Sequence, residues 1–180
     1  MAEAFPDRLR RTLRAIPDYP KPGIIFQDIT PVLQDGHLFR QMREELAAPF
    51  RTAGITHVVG IEARGFILAA PVAVTLGAGF IPLRKPGKLP WKTARHEYAL
   101  EYGTDALEIH QDACPPGSRV LVVDDVLATG GTAAAAGTLV RQLGGTLVGY
   151  SFLLSIPFLK GLDRLGGWTP MWCWKSDLGR

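Results

Sequence analysis

The sequence is short of cysteine and of long apolar runs, and each shortage excludes a class of protein. Its two cysteines, Cys114 and Cys173, stand far apart and outside any CxxC or Cys/His pattern, so neither a disulfide framework nor a structural zinc site is expected. No run of about 18 apolar residues occurs, and no transmembrane helix is therefore predicted. Because the arginine-rich N-terminus also lacks the apolar segment of a signal peptide, we expect a cytoplasmic protein without membrane contacts.

Two nucleotide-binding motifs are missing as well. The P-loop pattern GxxxxGK[ST] does not occur, which argues against a P-loop NTPase. The nearest match to a dinucleotide-binding fingerprint, GAGFIP at residues 77–82, lacks its third glycine and precedes no predicted helix. Internal repeats, low-complexity tracts and interdomain linkers are also absent, so we predict one domain over residues 1–180.

The charged residues are unevenly distributed. Hydrophobic residues make up 47% of the chain and charged residues 21%, as in ordinary globular proteins, and the formal net charge of +3 does not by itself indicate nucleic-acid binding. Between residues 84 and 96, however, five cationic side chains occur without a single acid. Such a cluster favours anionic ligands, with a solvated basic loop as the alternative.

Apolar strands alternate with helices along the chain, which predicts an α/β fold with a mainly parallel central sheet and flanking helices. We predict helices over residues 4–16, from Leu38 to about Gly54, and over 65–76 and 131–143. Core strands are predicted at residues 56–62, 79–85, 118–125 and 146–154. The proline-rich residues 17–31 should be extended chain and turns. Residues 86–97 should form a basic loop beside a hairpin of residues 98–103 and 106–112. The tryptophan-rich C-terminus suits an edge strand or a subunit contact.

The stretch VLVVDDVLATGGT, residues 120–132, carries the strongest chemical signal. Ligands of open α/β sheets lie beyond the carboxyl ends of the strands, where Asp124 and Asp125 are expected. Adjacent carboxylates suit two tasks, which are binding a pair of neighbouring hydroxyls and helping to hold a hydrated magnesium ion. The glycines and threonines that follow open a helix, whose free N–H groups bind phosphate. Together these features predict a site for ribose 5-phosphate.

VLVVDDVLATGGT resembles the 5-phosphoribosyl-1-diphosphate (PRPP) motif of the type I phosphoribosyltransferases, and its DDVLATGGT form is similar to that of the adenine phosphoribosyltransferases. PDYPKPGIIFQDITPVL, GIEARGF, RKPGKLP and LEYGTDALEIHQDA agree in the same order. The resemblance covers about residues 5–155. It implies transfer of phosphoribosyl from PRPP to adenine, with AMP and pyrophosphate as products, by a homodimer. It also implies a base-recognition segment over about residues 1–35 and a flexible lid loop over about residues 84–103.

The resemblance also implies which residues contact PRPP. Ribose and 5′-phosphate would be bound by Asp124, Asp125, Ala128, Thr129, Gly130, Gly131 and Thr132. The diphosphate would be bound by Glu62, Ala63, Arg64, Arg84, Lys85 and Lys88, and Arg64 and Lys88 are also expected to take part in catalysis. Arginine suits a diphosphate because its planar fork can bond two oxygens. Magnesium is expected to be held mainly by PRPP oxygens and water, with no protein ligand assigned.

For the base, the resemblance implies a pocket formed by Ile25, Phe26, Gln27, Val126 and Leu127. Many relatives have arginine where this chain has Gln27, which a backbone contact would tolerate and a side-chain contact would not. Glu101 is implied as the general base, with pairing to a lid lysine as the alternative, and Tyr102 as the residue that gates the lid.

Two alternative functions share this fold. A phosphoribosyltransferase for a 6-oxopurine would usually carry a lysine in or near the strand after the phosphate motif, whereas here none occurs before Lys160. A regulator that senses PRPP without chemistry would usually carry a DNA-binding module, for which 180 residues leave no room. Both comparisons favour the adenine enzyme.

Overall fold

The computed structural model describes residues 3–99 and 103–176. Its helices are α1 (Phe5–Thr12), α2 (Thr30–Gln34), α3 (Gly36–Ala47), α4 (Arg64–Leu76) and α5 (Gly131–Gln142). Its strands are β1 (Arg14–Pro17), β2 (Ile25–Asp28), β3 (His57–Ile61), β4 (Gly79–Leu83), β5 (Thr93–Ala99), β6 (Thr104–His110), β7 (Arg119–Leu127), β8 (Thr146–Ser155) and β9 (Met171–Lys175). Short 3₁₀ turns cover Ala48–Phe50, Pro157–Leu159 and Gly161–Leu165.

Five parallel strands form the central sheet, in the order β4-β3-β7-β8-β9. Successive residues of β3 and β7 point to opposite faces, so Val58 and Leu121 pack among α1, α3 and α4, whereas Val59 and Val122 pack against α5 and the β5–β6 hairpin. Both faces are therefore covered, which explains why these strands read as nearly continuous apolar runs. The predicted α/β fold with a parallel sheet and flanking helices is confirmed.

The N-terminal helix is shorter than predicted. Its pattern indicated a helix over residues 4–16, but α1 ends at Thr12 and residues 14–17 form β1, which pairs antiparallel with β2. Pro17 explains part of the error, because a residue that precedes proline is driven towards extended conformations. The extended character predicted for residues 17–31 is confirmed as far as Asp28, and α2 begins at Thr30.

The basic loop is also shorter than predicted. Residues 93–97, which were expected to belong to it, form the first part of β5, and β5 pairs antiparallel with β6. A hairpin is therefore present, but its first strand begins five residues before the predicted strand 98–103, of which residues 100–102 lie outside the described residues. Arg84 adds one isolated bridge to Glu108 of β6, which joins the start of the basic segment to the hairpin.

The tryptophan-rich C-terminus supplies the edge strand β9, which contains Trp172 and Trp174 and runs parallel to β8. Within residues 3–99 and 103–176, no helix is long and apolar enough to cross a membrane.

Candidate active site

A cavity of about 240 Å³ opens beyond the carboxyl ends of β3 and β7. Its walls come from three segments, namely the turn between β3 and α4, the basic segment after β4, and the end of β7 with the following loop. The lining residues are Ile61, Glu62, Ala63, Arg64, Lys85, Asp124, Asp125, Val126, Leu127, Ala128, Thr129, Gly130, Thr132 and Ala133. Most of the residues predicted to bind PRPP thus face one space, at the edge where an α/β sheet binds its ligands.

The predicted phosphate loop lies between β7 and α5. Gly130 has a φ of 79°, a left-handed conformation that side chains disfavour, and α5 begins at Gly131. The loop is supported from outside by Gly161, because a Cβ at Gly161 would lie 2.2 Å from the carbonyl oxygen of Ala128 and 3.1 Å from the backbone nitrogen of Gly130. Two backbones are thus in direct contact. The first N–H groups of α5 have no acceptor within the helix and can therefore bind an anion.

The two acids at the end of β7 differ in environment. Asp125 is buried and accepts a hydrogen bond from Arg64 Nε. Asp124 is half-buried and accepts a hydrogen bond of 2.9 Å from the backbone N–H of Asp125. Burial raises the pKa of Asp124, and the neighbouring carboxylate of Asp125 raises it further. The surroundings of Asp124 within the protein therefore favour its protonated form.

Arg64 occupies the first turn of α4, directly after the turn formed by Glu62 and Ala63, whose peptide bond is cis. Besides its bond to Asp125, its guanidinium lies 5.2 Å from the ring centroid of Phe26, in cation–π range. Arg64 thus connects the predicted diphosphate turn, the acidic end of β7 and the predicted base segment.

Glu62 is hydrogen-bonded to the basic segment, residues 84–92, which follows β4. Its carboxylate accepts hydrogen bonds from Arg84 Nη2 at 3.2 Å, Lys88 Nζ at 2.8 Å and the backbone N–H of Lys85 at 3.1 Å. Burial alone would raise the pKa of Glu62, but these donors outweigh burial and lower it to about 2. Arg84 and Lys88, which were predicted to bind PRPP phosphates, are therefore paired with Glu62 in this conformation.

Lys85 lines the cavity and is bound to the hairpin instead of to Glu62 through its side chain. Its ammonium group pairs with Asp105 and lies 3.3 Å from the hydroxyl of Tyr98. Burial opposes the charged form of Lys85, but the bonds to Asp105 and Tyr98 prevail and raise its pKa. Lys85 is accordingly a cation at the cavity wall at neutral pH, held by two partners on the hairpin.

The predicted base pocket is only partly assembled. Val126 and Leu127 line the cavity. Ile25, Phe26 and Gln27 lie in β2 outside its wall, and Ile25 is 44% exposed. Phe26 contacts Arg64, which lines the cavity, and packs edge-on against Tyr19.

Glu101 and Tyr102, the predicted base and gating residue, lie outside the described residues. Among residues 3–99 and 103–176, no group of three or more His, Cys, Asp or Glu side chains could hold a metal ion. Asp124 and Asp125 do supply the oxygen donors that magnesium prefers, so the cavity is compatible with the ion that accompanies a diphosphate.

Sequence reasoning missed Tyr98, Asp105 and Gly161. Tyr98 and Asp105 belong to the hairpin, and their contacts with Lys85 join segments that are 13 and 20 residues apart. Gly161 touches a loop some 30 residues earlier, and only the packing of chain segments brings the two together. One signal was available, since Lys160-Gly161 interrupts an otherwise apolar stretch after the last core strand.

Comparisons with known proteins agree with this geometry. Residues 33–157 match the family described as phosphoribosyl transferase domain. The adenine phosphoribosyltransferase of Myxococcus xanthus is 60% identical over 158 residues, which is 88% of this chain and 86% of the relative. That of Thermobifida fusca is 59% identical over 155 residues, 86% of this chain and 88% of the relative.

Solved structures extend the agreement to the fold. The adenine phosphoribosyltransferase of Rhodothermus marinus superposes with a TM-score of 0.91 at 49% identity, over 96% of this chain and 98% of that one. The Saccharomyces cerevisiae enzyme, solved with adenine and an imino-altritol bisphosphate, has a TM-score of 0.86 at 40% identity, over 93% of this chain and 96% of that one. Such identity over most of both chains, on one fold, places this chain in the adenine phosphoribosyltransferase family.

Proposed function

We propose that this protein transfers the 5-phosphoribosyl group of PRPP to N9 of adenine, which yields AMP and pyrophosphate. One observation carries the proposal. The Asp124–Asp125 pair, the phosphate loop after it and the turn from Glu62 to Arg64 all line the same cavity. A ligand with phosphate at one end of a ribose and diphosphate at the other matches this arrangement. The Trypanosoma brucei relative, at 25% identity, was solved with AMP, pyrophosphate and ribose 5-phosphate.

The ribose end of PRPP would bind along β7 and its loop. The 5′-phosphate would accept hydrogen bonds from the free N–H groups between Ala128 and Thr132, where the positive end of the α5 dipole also attracts it. The two ribose hydroxyls would donate to the carboxylates of Asp124 and Asp125. These contacts orient C1 of the ribose towards the rest of the cavity and reduce the entropy lost in reaching the transition state.

The diphosphate would bind at the turn between β3 and α4. As the C1–O bond breaks, the electron pair stays on the departing pyrophosphate, and the ribose gains oxocarbenium character. Arg64 would neutralise that growing charge from the first turn of α4. Magnesium, when bound with PRPP, would neutralise further charge on the phosphate oxygens. The carboxylates of Asp124 and Asp125 would accept hydrogen bonds from its water ligands.

Adenine would enter between the end of β7 and the base segment. Val126 and Leu127 would form one wall, and Phe26 would stack on the purine from β2. As N9 bonds to C1, its hydrogen must leave, and Glu101 would accept it. Arg84 and Lys88 would leave Glu62 and join Lys85 in covering the phosphates when residues 84–103 close, and closure would exclude water that could hydrolyse the sugar.

A base-selection assay tests the proposal. Purified protein is mixed with magnesium, PRPP and one of adenine, hypoxanthine or guanine, and nucleotide release is followed. We expect AMP from adenine and little product from the other two bases. Equal rates with all three would contradict the assignment of adenine, and no product from any base would contradict catalysis.

We also propose that the enzyme is a cytoplasmic homodimer. Large apolar side chains are exposed on α4 and β4, with Ile67 at 44%, Val74 at 81% and Phe80 at 38% exposure, which supports a partner on that face. Sedimentation velocity tests the dimer, which is contradicted if the protein sediments as a monomer at assay concentrations.

A further inference from the structure

The hydroxyl of Tyr98 joins three parts of the candidate active site. It accepts hydrogen bonds from Lys85 Nζ at 3.3 Å and from Thr132 Oγ1 at 3.2 Å, and it donates one to Asp105 Oδ2 at 3.1 Å. A phenol has one hydrogen to donate and two lone pairs that accept. All three bonding positions of the Tyr98 hydroxyl are therefore occupied, although nothing in the sequence marks this residue.

The ring of Tyr98 is packed against its neighbours. A Cβ at Gly131 would lie 3.3 Å from Tyr98 Cδ2, so the ring packs on the first turn of α5, where a larger residue would crowd it. At its hydroxyl end, the ring is approached by Lys85 Nζ, which lies 5.8 Å from the ring centroid. Tyr98 is only 9% exposed. Its hydroxyl is consequently presented to Thr132 by a packed ring instead of a mobile side chain.

Thr132 is the residue through which this contact can affect a ligand. Its side chain belongs to the phosphate loop and lines the cavity. While the Thr132 hydroxyl donates its only hydrogen to Tyr98, that hydroxyl offers a phosphate oxygen nothing but lone pairs. Both partners are hydroxyls, however, and a hydrogen bond between hydroxyls can run in either direction at the same oxygen–oxygen distance.

We propose that Tyr98 is a positioning residue for the 5′-phosphate. When phosphate binds, the Tyr98 hydrogen turns from Asp105 to Thr132, and Thr132 donates its own hydrogen to a phosphate oxygen. Asp105 keeps its ion pair with Lys85, so its half-buried carboxylate is not left unpaired. The exchange of hydrogen bonds itself consists of two hydroxyl rotations. The inference rests on the proposed function, because it places the 5′-phosphate of PRPP or AMP at the loop that contains Thr132.

The variant Tyr98→Phe keeps the ring and removes only the hydroxyl. We expect its dissociation constant for AMP, measured by calorimetry, to rise about three- to tenfold, since one lost hydrogen bond corresponds to a change of about that size. The KM for PRPP should rise by a similar factor. Affinity for pyrophosphate, which has no 5′-phosphate, should change by less than about twofold.

A double-mutant cycle tests whether Thr132 transmits the effect. In a Thr132→Val background, Tyr98→Phe should change AMP affinity by less than about twofold, because the hydroxyl it positions is already gone. The matched control is Tyr150→Phe, which removes another core tyrosine hydroxyl that does not line the cavity. The control should bind AMP as the wild type does, and melting temperatures report whether each variant folds.

The outcomes separate this inference from the proposed function. If the wild-type protein forms no AMP from adenine and PRPP, the proposed function is wrong, and AMP binding still measures the role of Tyr98. If the wild type is active while Tyr98→Phe binds AMP normally, the role of Tyr98 is wrong. An equal loss of pyrophosphate and AMP affinity would also overturn it, because Tyr98 would then act through Lys85. Additive effects in the cycle would overturn it as well.

Discussion

Arg64 at the start of α4 donates a hydrogen bond through Nε to Asp125, the buried second acid of β7. The side chain of Asp125 is 8% exposed and that of Arg64 is 44% exposed, so the pair has one buried partner and one that faces the cavity. The residue proposed to bind diphosphate and a residue proposed to bind ribose are thus in direct contact. Arg64 is preorganised by two elements, because Phe26 of β2 also lies under its guanidinium.

Replacing Arg64 with lysine tests the need for this planar group. Arg64→Lys keeps the charge but loses the fork that bonds two oxygens, so kcat/KM for PRPP should fall about 10- to 100-fold. Arg95→Lys is the matched control, since Arg95 lies in β5, is 52% exposed and pairs with Glu97. Steady-state kinetics checks both variants, and an equal loss in the two would count against a specific role for Arg64.

Asp124→Asn should stabilise the protein and weaken PRPP binding. The raised pKa of Asp124 means that folding favours its protonated form, so its stabilising contribution is complete below about pH 3.8 and is lost as pH rises through its folded pKa. Asparagine has no such loss. At pH 7.5 the melting temperature of the variant should exceed that of the wild type by about 2–4 °C, for roughly 1 kcal/mol, while its KM for PRPP rises at least about tenfold.

Melting curves from pH 4 upwards check the first part, because the difference should grow with pH and then level off. Asp112→Asn, at an exposed carboxyl group, is the control and should show no such trend. If the variant melts below the wild type at pH 7.5, the ionised carboxylate of Asp124 does not destabilise the folded protein.

Glu62→Gln should have the opposite pH dependence. The pKa of Glu62 is lowered to about 2, so its stabilising contribution is present above pH 4.5 and is lost as pH falls towards 2. The variant should melt about 2–4 °C below the wild type at pH 7, for roughly 1 kcal/mol, and the difference should shrink steadily below pH 4.5. Calorimetry measures these melting temperatures. The control is Glu97→Gln, because Glu97 belongs to an exposed ion pair with Arg95. A constant difference from pH 7 to pH 3 would contradict the ionic role of Glu62.

Gly161→Ala should damage the phosphate loop from outside the cavity. The added methyl group would lie 2.2 Å from the carbonyl oxygen of Ala128, and both neighbours are backbone, so the loop must shift. We expect the KM for PRPP to rise at least about tenfold, because the N–H groups would no longer converge on one phosphate position. Gly36→Ala is the control, since nothing lies within 4 Å of a Cβ there. Normal kinetics in Gly161→Ala would show that the contact is dispensable.

Glu101→Gln tests the proposed proton transfer. If Glu101 accepts the N9 hydrogen, kcat should fall at least about 100-fold while the KM for PRPP stays within about threefold. Glu97→Gln serves as control here too, because Glu97 lies four residues earlier in the sequence. A kcat that falls less than about tenfold would show that Glu101 orients the base without accepting its proton.

The sequence predicted the chemistry of the β7 loop because its parts are consecutive. Strand, acidic pair, loop and helix follow one another from Val120 to Gln142, so chain connectivity alone brings them to one end of the sheet. The same holds for the turn from Glu62 to Arg64. The boundaries of α1 and β5 were predicted less well, because β1 and the start of β5 are strands through pairing with β2 and β6.

Only the tertiary structure decided how the separate segments meet. Arg64 and Asp125 are 61 residues apart, Glu62 and Arg84 are 22 apart, and Tyr98 and Thr132 are 34 apart. Each pair depends on strand order and register, which place β7 beside β3 and the hairpin over α5, and such contacts leave no local pattern in a single sequence. The sequence by itself therefore determined which ligand chemistry this protein carries. The packing decided which charges are paired and which hydroxyls are positioned, because those depend on distances that connectivity does not specify.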